Sequence, residues 1–356
     1  MGADKDPGRV RSGQTILNVC GGPKKTRARE MLVTVARAFA EAFLGRFVAR
    51  EEAPRVTGDH AVRAFRPASS GAAFHTVFRL FRGSGLRYDR REVLGDVVLD
   101  WVGEGRGRRG IVVIFHGLGA SSYSLGVRRL AEEAVDRGFV AVAYNRPGHA
   151  EGPGAPLFAG EYPAYTDEEE TARVVGHVAK TTPLPVYAVG LSAGANNLVK
   201  YLGRPETPIK AAVAVANGLD LAKCYSKLGA GFSAFLASRA MRVYARHRTR
   251  FRARTLGEFD ERVSGTPLAE YHARHSSADA LRRTRVPTMC ICAENDPFVP
   301  RAILDVHDEI ARSNPNVVSV RTKEGGHCGW VTRDRAVKKG RWIESVALDF
   351  IERVGG

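Results

Sequence analysis

The feature that most constrains the fold of this 356-residue chain is the stretch from Tyr187 to Leu198, in which a serine stands between two glycines. An apolar, β-branched run leads into Gly190-Leu191-Ser192-Ala193-Gly194, and residues able to continue as a helix follow. This context predicts a sharp strand-to-helix turn that exposes the Ser192 hydroxyl. Because glycine has no Cβ, Gly190 and Gly194 are expected to let the strand and the helix pass close together.

Apolar strands and helical patterns alternate on both sides of this stretch. The pattern predicts strands at 93–101, 111–115, 139–144, 186–189, 209–216, 288–293 and 317–323. It predicts helices at 125–137, at 166–179, after Ser192, at 300–312 and at 341–354. The unbroken Ile-Val-Val-Ile-Phe run at 111–115 is typical of a strand that is buried on both faces. We therefore predict an α/β fold in which helices flank a mostly parallel central sheet.

Two segments depart from this alternation. Residues 219–275 are rich in alanine, arginine and aromatic residues, and they predict a helical cap inserted after the strand at 209–216. Residues 1–60 predict a basic N-terminal arm and an amphipathic helix at 31–48, which leaves 61–356 as one α/β domain. Because this helix carries arginines and a glutamate, we expect it to pack on its domain or lie on a membrane surface rather than cross a bilayer.

The chain also supplies partners for the serine. A serine hydroxyl becomes an effective nucleophile when an imidazole accepts its proton and a carboxylate orients that imidazole. Asp296 follows the predicted strand at 288–293, and His327 follows the next strand in a Gly-Gly-His loop. Both positions are carboxyl ends of strands, where open α/β sheets place their sites. The predicted catalytic residues are therefore Ser192, Asp296 and His327.

Other side chains near these motifs have competing interpretations. Glu294 and Asp220 are rival candidates for the acid. Cys328 is a candidate reactive thiol because it neighbours His327, although an inert, half-buried thiol is the favoured interpretation. His116 is predicted to be structural, because the catalytic role expected of its loop belongs to backbone N–H groups and not to the imidazole ring.

That backbone role is the stabilisation of the oxyanion that forms when a serine attacks an ester. It requires two N–H groups that point at the developing charge. The residue after the nucleophile, Ala193, supplies one amide, and the His116-Gly117-Leu118-Gly119 loop can supply the amide of Leu118. We predict that Leu118 and Ala193 form the oxyanion hole.

Positive charge is in large excess, with 54 Lys and Arg residues against 38 Asp and Glu residues, a formal net charge of +16. Such an excess favours encounters with anionic surfaces such as phospholipid headgroups or nucleic acid. The arm and a cluster of six arginines between Arg242 and Arg254 are basic. A solvated basic face is the favoured interpretation of the cluster, and peripheral contact of the arm and the cluster with anionic membranes is the functional alternative. No nucleic-acid partner is expected, because no binding motif accompanies the charge.

Five scattered cysteines show neither CxxC nor zinc-ligand spacing; they are Cys20, Cys224, Cys290, Cys292 and Cys328. This pattern predicts free thiols in a reducing compartment and hence a cytoplasmic protein. We expect no metal and no organic cofactor.

Several motifs occur together in one order along the chain. They are 88–94 with Leu99-Asp100-Trp101, His116-Gly117-Leu118 with Ser122, Ser124 and Arg128, Gly190–Gly194 with Asn196 and Tyr201-Leu202-Gly203, Asp220-Leu221, the 293–300 loop, and Gly326-His327-Cys328-Gly329. In these residues, from about 88 to 354, the chain resembles the YheT-like, ABHD-type branch of the α/β-hydrolases.

The resemblance implies an α/β-hydrolase fold with Ser192, Asp296 and His327 as the catalytic triad. It also implies a serine esterase or lipase that acts on short-chain esters, monoacylglycerols or phospholipids. Two alternatives stay open at this point: an acyltransferase that passes the acyl group to an alcohol, and a non-catalytic lipid-binding protein.

Overall fold

The computed structural model describes residues 55–57, 84–156, 165, 168–246, 252–330 and 342–355. The predicted helix at 31–48 lies outside the described residues. So does the middle of the arginine cluster, at 247–251. For these segments the sequence-based expectations stay predictions.

The described strands form one sheet. They are β1 (Arg55–Thr57), β2 (Arg90–Leu94), β3 (Val97–Val102), β4 (Ile111–Phe115), β5 (Val140–Asn145), β6 (Val186–Leu191), β7 (Ile209–Val215), β8 (Thr288–Ala293) and β9 (Val317–Thr322). Their order across the sheet is β1-β9-β8-β7-β6-β4-β5-β3-β2. The strands from β4 to β9 are mutually parallel, whereas β3 runs antiparallel to β5 and β1 runs antiparallel to β9. The predicted mostly parallel sheet is confirmed.

Helices cover both faces of this sheet. They are α1 (Leu125–Asp136), α2 (Glu168–Lys180), α3 (Ala193–Leu202), α4 (Leu221–Ser226), α5 (Ala230–Arg246), α6 (Leu256–Ser264), α7 (Leu268–His275), α8 (Ala278–Arg283), α9 (Arg301–Ser313) and α10 (Trp342–Gly355). Helices α1 and α10 pack on one face. Helices α2, α3 and α9 pack on the other.

The central strand β4 shows why its sequence is apolar at every position. All five of its residues are buried. Val112 and Ile114 pack towards α1 and α10, and Val113 and Phe115 pack towards α2 and α3. A strand between two helical layers has no face in contact with water, so an alternating pattern is not expected there.

One predicted element is wrong. The sequence predicts a single strand at 93–101, and the structure has a hairpin of β2 and β3, in which Leu94 pairs with Val97. Gly95 takes a φ of 68° at the turn, a conformation that glycine adopts at little cost. The apolar pattern runs through the turn, and only Gly95-Asp96 marks it.

The ends of the sheet and the cap complete the architecture. The short strand β1 lies within the range predicted as an arm, and it pairs with β9 at the edge of the sheet. Between β7 and β8, helices α4 to α7 occupy the region predicted as the cap. Helix α8 then returns to α3, where Ala280 lies against Gly203.

Candidate active site

Ser192 lies at the turn between β6 and α3. Strand β6 ends at Leu191 and helix α3 begins at Ala193. Ser192 itself has φ 55° and ψ −120°, a conformation that is strained for a residue with a Cβ. Its backbone N–H donates to the carbonyl of Val215 on β7 over 2.8 Å. The neighbouring strand therefore holds the strained turn in place.

The two glycines around Ser192 allow a very close approach of backbone segments. A Cβ on Gly194 would lie 2.3 Å from the carbonyl oxygen of Phe115 and 2.5 Å from that of His116. A Cβ on Gly190 would lie 2.5 Å from the Cα of Ala195. Neither position can hold a larger residue unless α3 moves away from the sheet, as the sequence predicted.

The structure brings Ser192, His327 and Asp296 together across 135 residues of chain. The Oγ of Ser192 lies 2.7 Å from Nε2 of His327. The Nδ1 of the same ring lies 2.9 Å from Oδ2 and 3.1 Å from Oδ1 of Asp296. An imidazole held this way can accept the proton of a serine hydroxyl while the carboxylate fixes its tautomer.

Backbone groups hold the Asp296 carboxylate. Its Oδ1 accepts hydrogen bonds from the N–H groups of Phe298 at 2.7 Å and Val299 at 3.1 Å. The neighbouring Asn295 accepts the N–H of Gly326 at 2.8 Å, which joins the aspartate loop to the histidine loop. The spacing between the acid and His327 is therefore set by two loops that are bonded to each other.

The rival acids are engaged elsewhere. Asp220 caps the N-terminus of α4, where its Oδ1 accepts the N–H of Lys223 at 3.0 Å. Glu294 forms ion pairs with Arg321 at 2.8 Å and Arg301 at 3.2 Å. Of the three candidate carboxylates, Asp296 is the one bonded to His327.

The loop after β4 passes directly beside the nucleophile. A Cβ on Gly117 would lie 3.3 Å from the Cβ of Ser192. The carbonyl oxygen of Gly117 accepts hydrogen bonds from Nδ1 of His116 at 2.8 Å and from Nη2 of Arg146 at 3.1 Å. Because the N–H and C=O of a trans peptide point in opposite directions, the N–H of Leu118 points away from Arg146.

The oxyanion hole formed by the Leu118 and Ala193 amides stays a prediction, and the structure shows where the two peptides lie. Ala193 is the first residue of α3, where backbone N–H groups have no acceptor within the helix. The peptide that carries the Leu118 amide is held by bonds to its carbonyl from His116 and Arg146.

His116 is buried and serves the backbone. Its Nε2 accepts the N–H of Arg146 at 3.4 Å, so the proton belongs on Nδ1, which donates to Gly117. Burial, together with the positive charge of Arg146, lowers the pKa of His116 well below its usual value. The ring is therefore neutral near pH 7 and contacts the Gly117 carbonyl instead of the Ser192 hydroxyl.

Backbone strain concentrates around the same edge of the sheet. Among the described non-glycine residues, positive φ angles occur at Ser192, Ala216, Leu219 and Cys328. All four lie in loops that follow β6, β7 or β9, at the carboxyl edge of the parallel strands. Burial raises the pKa of the Cys328 thiol, so this cysteine stays protonated and unreactive.

Sequence reasoning missed a buried polar network behind the loop that follows β4. The Asp100 carboxylate accepts hydrogen bonds from Arg91 at 2.7 and 3.0 Å, from Ser122 at 2.5 Å and from Asn145 at 3.0 Å. The hydroxyl of Tyr88 donates to the carbonyl of Ser122 at 2.7 Å. The network ties β2, β3 and β5 to the segment that follows Leu118. The signal was present as an aspartate inside the apolar run of β3.

The cap reaches the site through aromatic rings. The ring of Phe298 lies 5.4 Å from that of His327 and 6.0 Å from that of Tyr225 on α4. The Tyr225 hydroxyl donates to Asp260, which is fully buried in the cap. Burial raises the pKa of Asp260 to about 7. The sequence offered no signal that would connect Asp260 to the triad region.

Metal-ligand clusters and membrane-spanning helices are both absent from the described residues. In the part of the chain that the structure describes, no three His, Cys, Asp or Glu residues are grouped so that they could hold a metal ion. Within the same ranges, no helix combines the length and apolar character needed to cross a bilayer.

Comparison with known proteins gives relatives of low identity. The chain is 28% identical over 320 residues to embryogenesis-associated protein EMB8 of Picea glauca, a match that covers 78% of this chain and 69% of that protein. It is 27% identical over 270 residues to phospholipase ABHD3 of Bos taurus, which covers 67% of this chain and 64% of the relative. The chain therefore spans about two thirds of the length of these relatives.

Solved structures and a family model agree on the fold. An esterase of Pyrococcus furiosus superposes with a TM-score of 0.53 at 18% identity and covers 76% of this chain and 92% of its own. That likeness concerns the fold alone. A model of the alpha/beta hydrolase family matches residues 112–339, which is more than half of the chain. The chain therefore belongs to the alpha/beta hydrolase family, in the branch that includes the ABHD-type proteins.

Proposed function

We propose that this protein is a serine hydrolase that cleaves carboxylic esters through an acyl-enzyme. The observation that carries the proposal is the contact series from the Oγ of Ser192 to Nε2 of His327 at 2.7 Å, and from Nδ1 of His327 to Asp296 at 2.9 Å. Each atom pair is within the distance that proton transfer or orientation requires.

The reaction follows from these positions. Ser192 Oγ attacks the ester carbonyl while His327 Nε2 accepts its proton, and the charge on the carbonyl oxygen is held by the amides of Leu118 and Ala193. His327 then returns the proton to the alcohol that leaves, and Ser192 keeps the acyl group as an ester. A water molecule, deprotonated by His327, releases the acid and restores the serine.

The relatives support an acyl ester as the substrate. Proteins with the names phospholipase ABHD3 and monoacylglycerol lipase are 22–27% identical to this chain. The cap adds apolar surface near the site, since Leu118 packs against the same buried cluster as Phe232 and Leu236. We therefore propose esters with an apolar acyl chain, such as monoacylglycerols or phospholipids.

The test is hydrolysis of p-nitrophenyl butyrate by the wild type and by Ser192→Ala. We expect the variant to lose at least about 10³-fold in kcat, because the nucleophile acts with the other triad members as a unit. Circular dichroism and urea unfolding verify that the variant is folded. Equal turnover by the two proteins would overturn the proposal.

A further inference from the structure

One long segment of the cap carries charge of a single sign. Residues 221–257 contain nine lysines and arginines and neither aspartate nor glutamate. The segment includes all of α4 and α5 and the connection to α6. An acid-free stretch of this length gives its solvent-facing side a positive potential.

Helix α5 presents aromatic side chains to solvent on this segment. Phe235 is 45% exposed, and the half-buried ring of Phe232 stacks on it with the ring centroids 6.1 Å apart. Ser238 and Arg242 follow at helical spacing and are exposed. A helix face with exposed phenylalanine and arginine matches the composition of helices that lie in the headgroup region of a bilayer.

Acidic groups near the arginines of this face are few. The charge of Glu151 acts on Arg239, and Glu258 accepts the backbone N–H of Arg254 at 2.7 Å. Among the salt bridges of the described residues, none involves the side chain of Arg239, Arg242, Arg252 or Arg254. Burial, with the charge of Arg242 as a second cause, lowers the pKa of Arg239. The backbone N–H of Ala253 contacts the sulfur of Met241 at 3.2 Å, which places the 252–254 segment beside the second half of α5. Anionic groups brought to this face would relieve the repulsion between its arginines.

The same helix touches the loop of the candidate active site. Nη2 of Arg239 donates to the carbonyl of Gly119 at 3.2 Å, and a Cβ on Gly119 would lie 2.9 Å from the backbone of Arg239. Gly119 immediately follows Leu118, whose amide is a predicted oxyanion donor. A surface bound to this side of α5 therefore lies beside the reaction site.

We propose that the face of α5 formed by Phe232, Phe235 and Arg242, with Arg252 and Arg254 next to it, docks the protein on an anionic phospholipid bilayer. The proposal rests on the proposed function in one respect: the bilayer on which the protein docks supplies the acyl esters that the site cleaves. The exposed Phe235 ring enters the interface, with the half-buried Phe232 ring stacked behind it, and the arginines pair with phosphate groups. Each arginine near such a surface strengthens binding by about fivefold.

The experiment measures binding of the full chain to vesicles by cosedimentation. The vesicles contain phosphatidylcholine alone or phosphatidylcholine with one third phosphatidylglycerol. The variants are Phe235→Ser, Arg242→Gln and Val93→Ser. Val93 is a matched control, because it is 51% exposed on β2, which lies at the edge of the sheet.

We expect the wild type to bind the anionic vesicles at least tenfold more strongly than the neutral ones, and 0.5 M NaCl to weaken that binding. Phe235→Ser and Arg242→Gln should each weaken it by about fivefold or more, whereas Val93→Ser should bind like the wild type. Wild-type binding by Phe235→Ser would overturn the proposal. So would equal binding to both kinds of vesicle, or a wild-type dimer that Phe235→Ser converts to a monomer.

Turnover of soluble p-nitrophenyl butyrate separates this proposal from the proposed function. Phe235→Ser should keep wild-type turnover of the soluble ester and lose turnover of vesicle-borne phospholipid by the same factor as binding. If Ser192→Ala binds vesicles normally and the wild type hydrolyses no ester, the docking surface stands and the proposed function fails.

Discussion

The substitution Gly194→Ala tests the geometry of the strand-to-helix turn without touching the triad. A new Cβ would lie 2.3 Å from the carbonyl oxygen of Phe115, whereas real Cβ contacts essentially never fall below 3.0 Å. The start of α3 must therefore shift by roughly 0.7 Å, the difference between these distances. The shift moves the Ala193 amide and the Ser192 hydroxyl together.

The expected loss follows from this displacement. A misplacement approaching 1 Å costs about 10²-fold in rate, and overpacking costs about 1–3 kcal/mol of stability. We therefore expect kcat for p-nitrophenyl butyrate to fall between about tenfold and 100-fold, with a lower free energy of unfolding in urea.

Gly176→Ala is the matched control for this substitution. Gly176 lies in the middle of α2, and a Cβ there meets no heavy atom within 4 Å. Its turnover should equal that of the wild type, and its free energy of unfolding should rise by up to about 1 kcal/mol. Wild-type kcat and wild-type stability in Gly194→Ala would refute the close-packing argument.

Three further predictions concern individual groups of the site and the cap. Asp296→Asn should lower kcat by about 10³–10⁴-fold because the amide favours the wrong tautomer of the catalytic imidazole, while Glu294→Gln stays within about twofold; the reverse pattern would move the acid role. Asp260 has a folded-state pKa of about 7, above its unfolded value, so its contribution to stability is greatest in acid and is lost as the pH rises from about 4 to 7. Asp260→Asn lacks this contribution, and urea unfolding should show the variant gaining about 2–3 kcal/mol relative to the wild type between pH 5 and pH 8; a constant difference would show that the carboxyl is ionised throughout. Ser192→Gly should be more stable than Ser192→Ala by about 1 kcal/mol, because glycine relieves the strain of a positive φ; equal thermal stability would show that the turn is unstrained.

Most of the fold could be predicted because its signals are local. Burial on both faces of the sheet requires an apolar residue at each position of a strand such as β4. The sequence therefore shows the position and spacing of the strands and helices directly. The hairpin of β2 and β3 was predicted as one strand, since only Gly95-Asp96 interrupts its apolar pattern. The edge strand β1 has three residues, too few for a periodic pattern.

In the candidate site, too, residues in local motifs could be predicted and contacts between distant residues could not. Ser192, Asp296 and His327 could be found because each sits in a short motif after a predicted strand. Asp100 is visible in the sequence as an aspartate inside an apolar run, but its partners are not. Those partners, and the contact of Arg146 with Gly117, join residues from separate strands and depend on side-chain positions that no local pattern encodes. The same holds for Asp260, whose raised pKa results from burial within the folded cap.

The most direct test of the central claim is to trap the acyl-enzyme. The protein is mixed with p-nitrophenyl butyrate, quenched in acid within the first turnover, digested and analysed by mass spectrometry. We predict a butyryl group on the peptide that contains Ser192 in the wild type, with no acylated peptide in Ser192→Ala. Ester hydrolysis by the wild type with the butyryl group on another residue would contradict the assignment of Ser192 as the nucleophile.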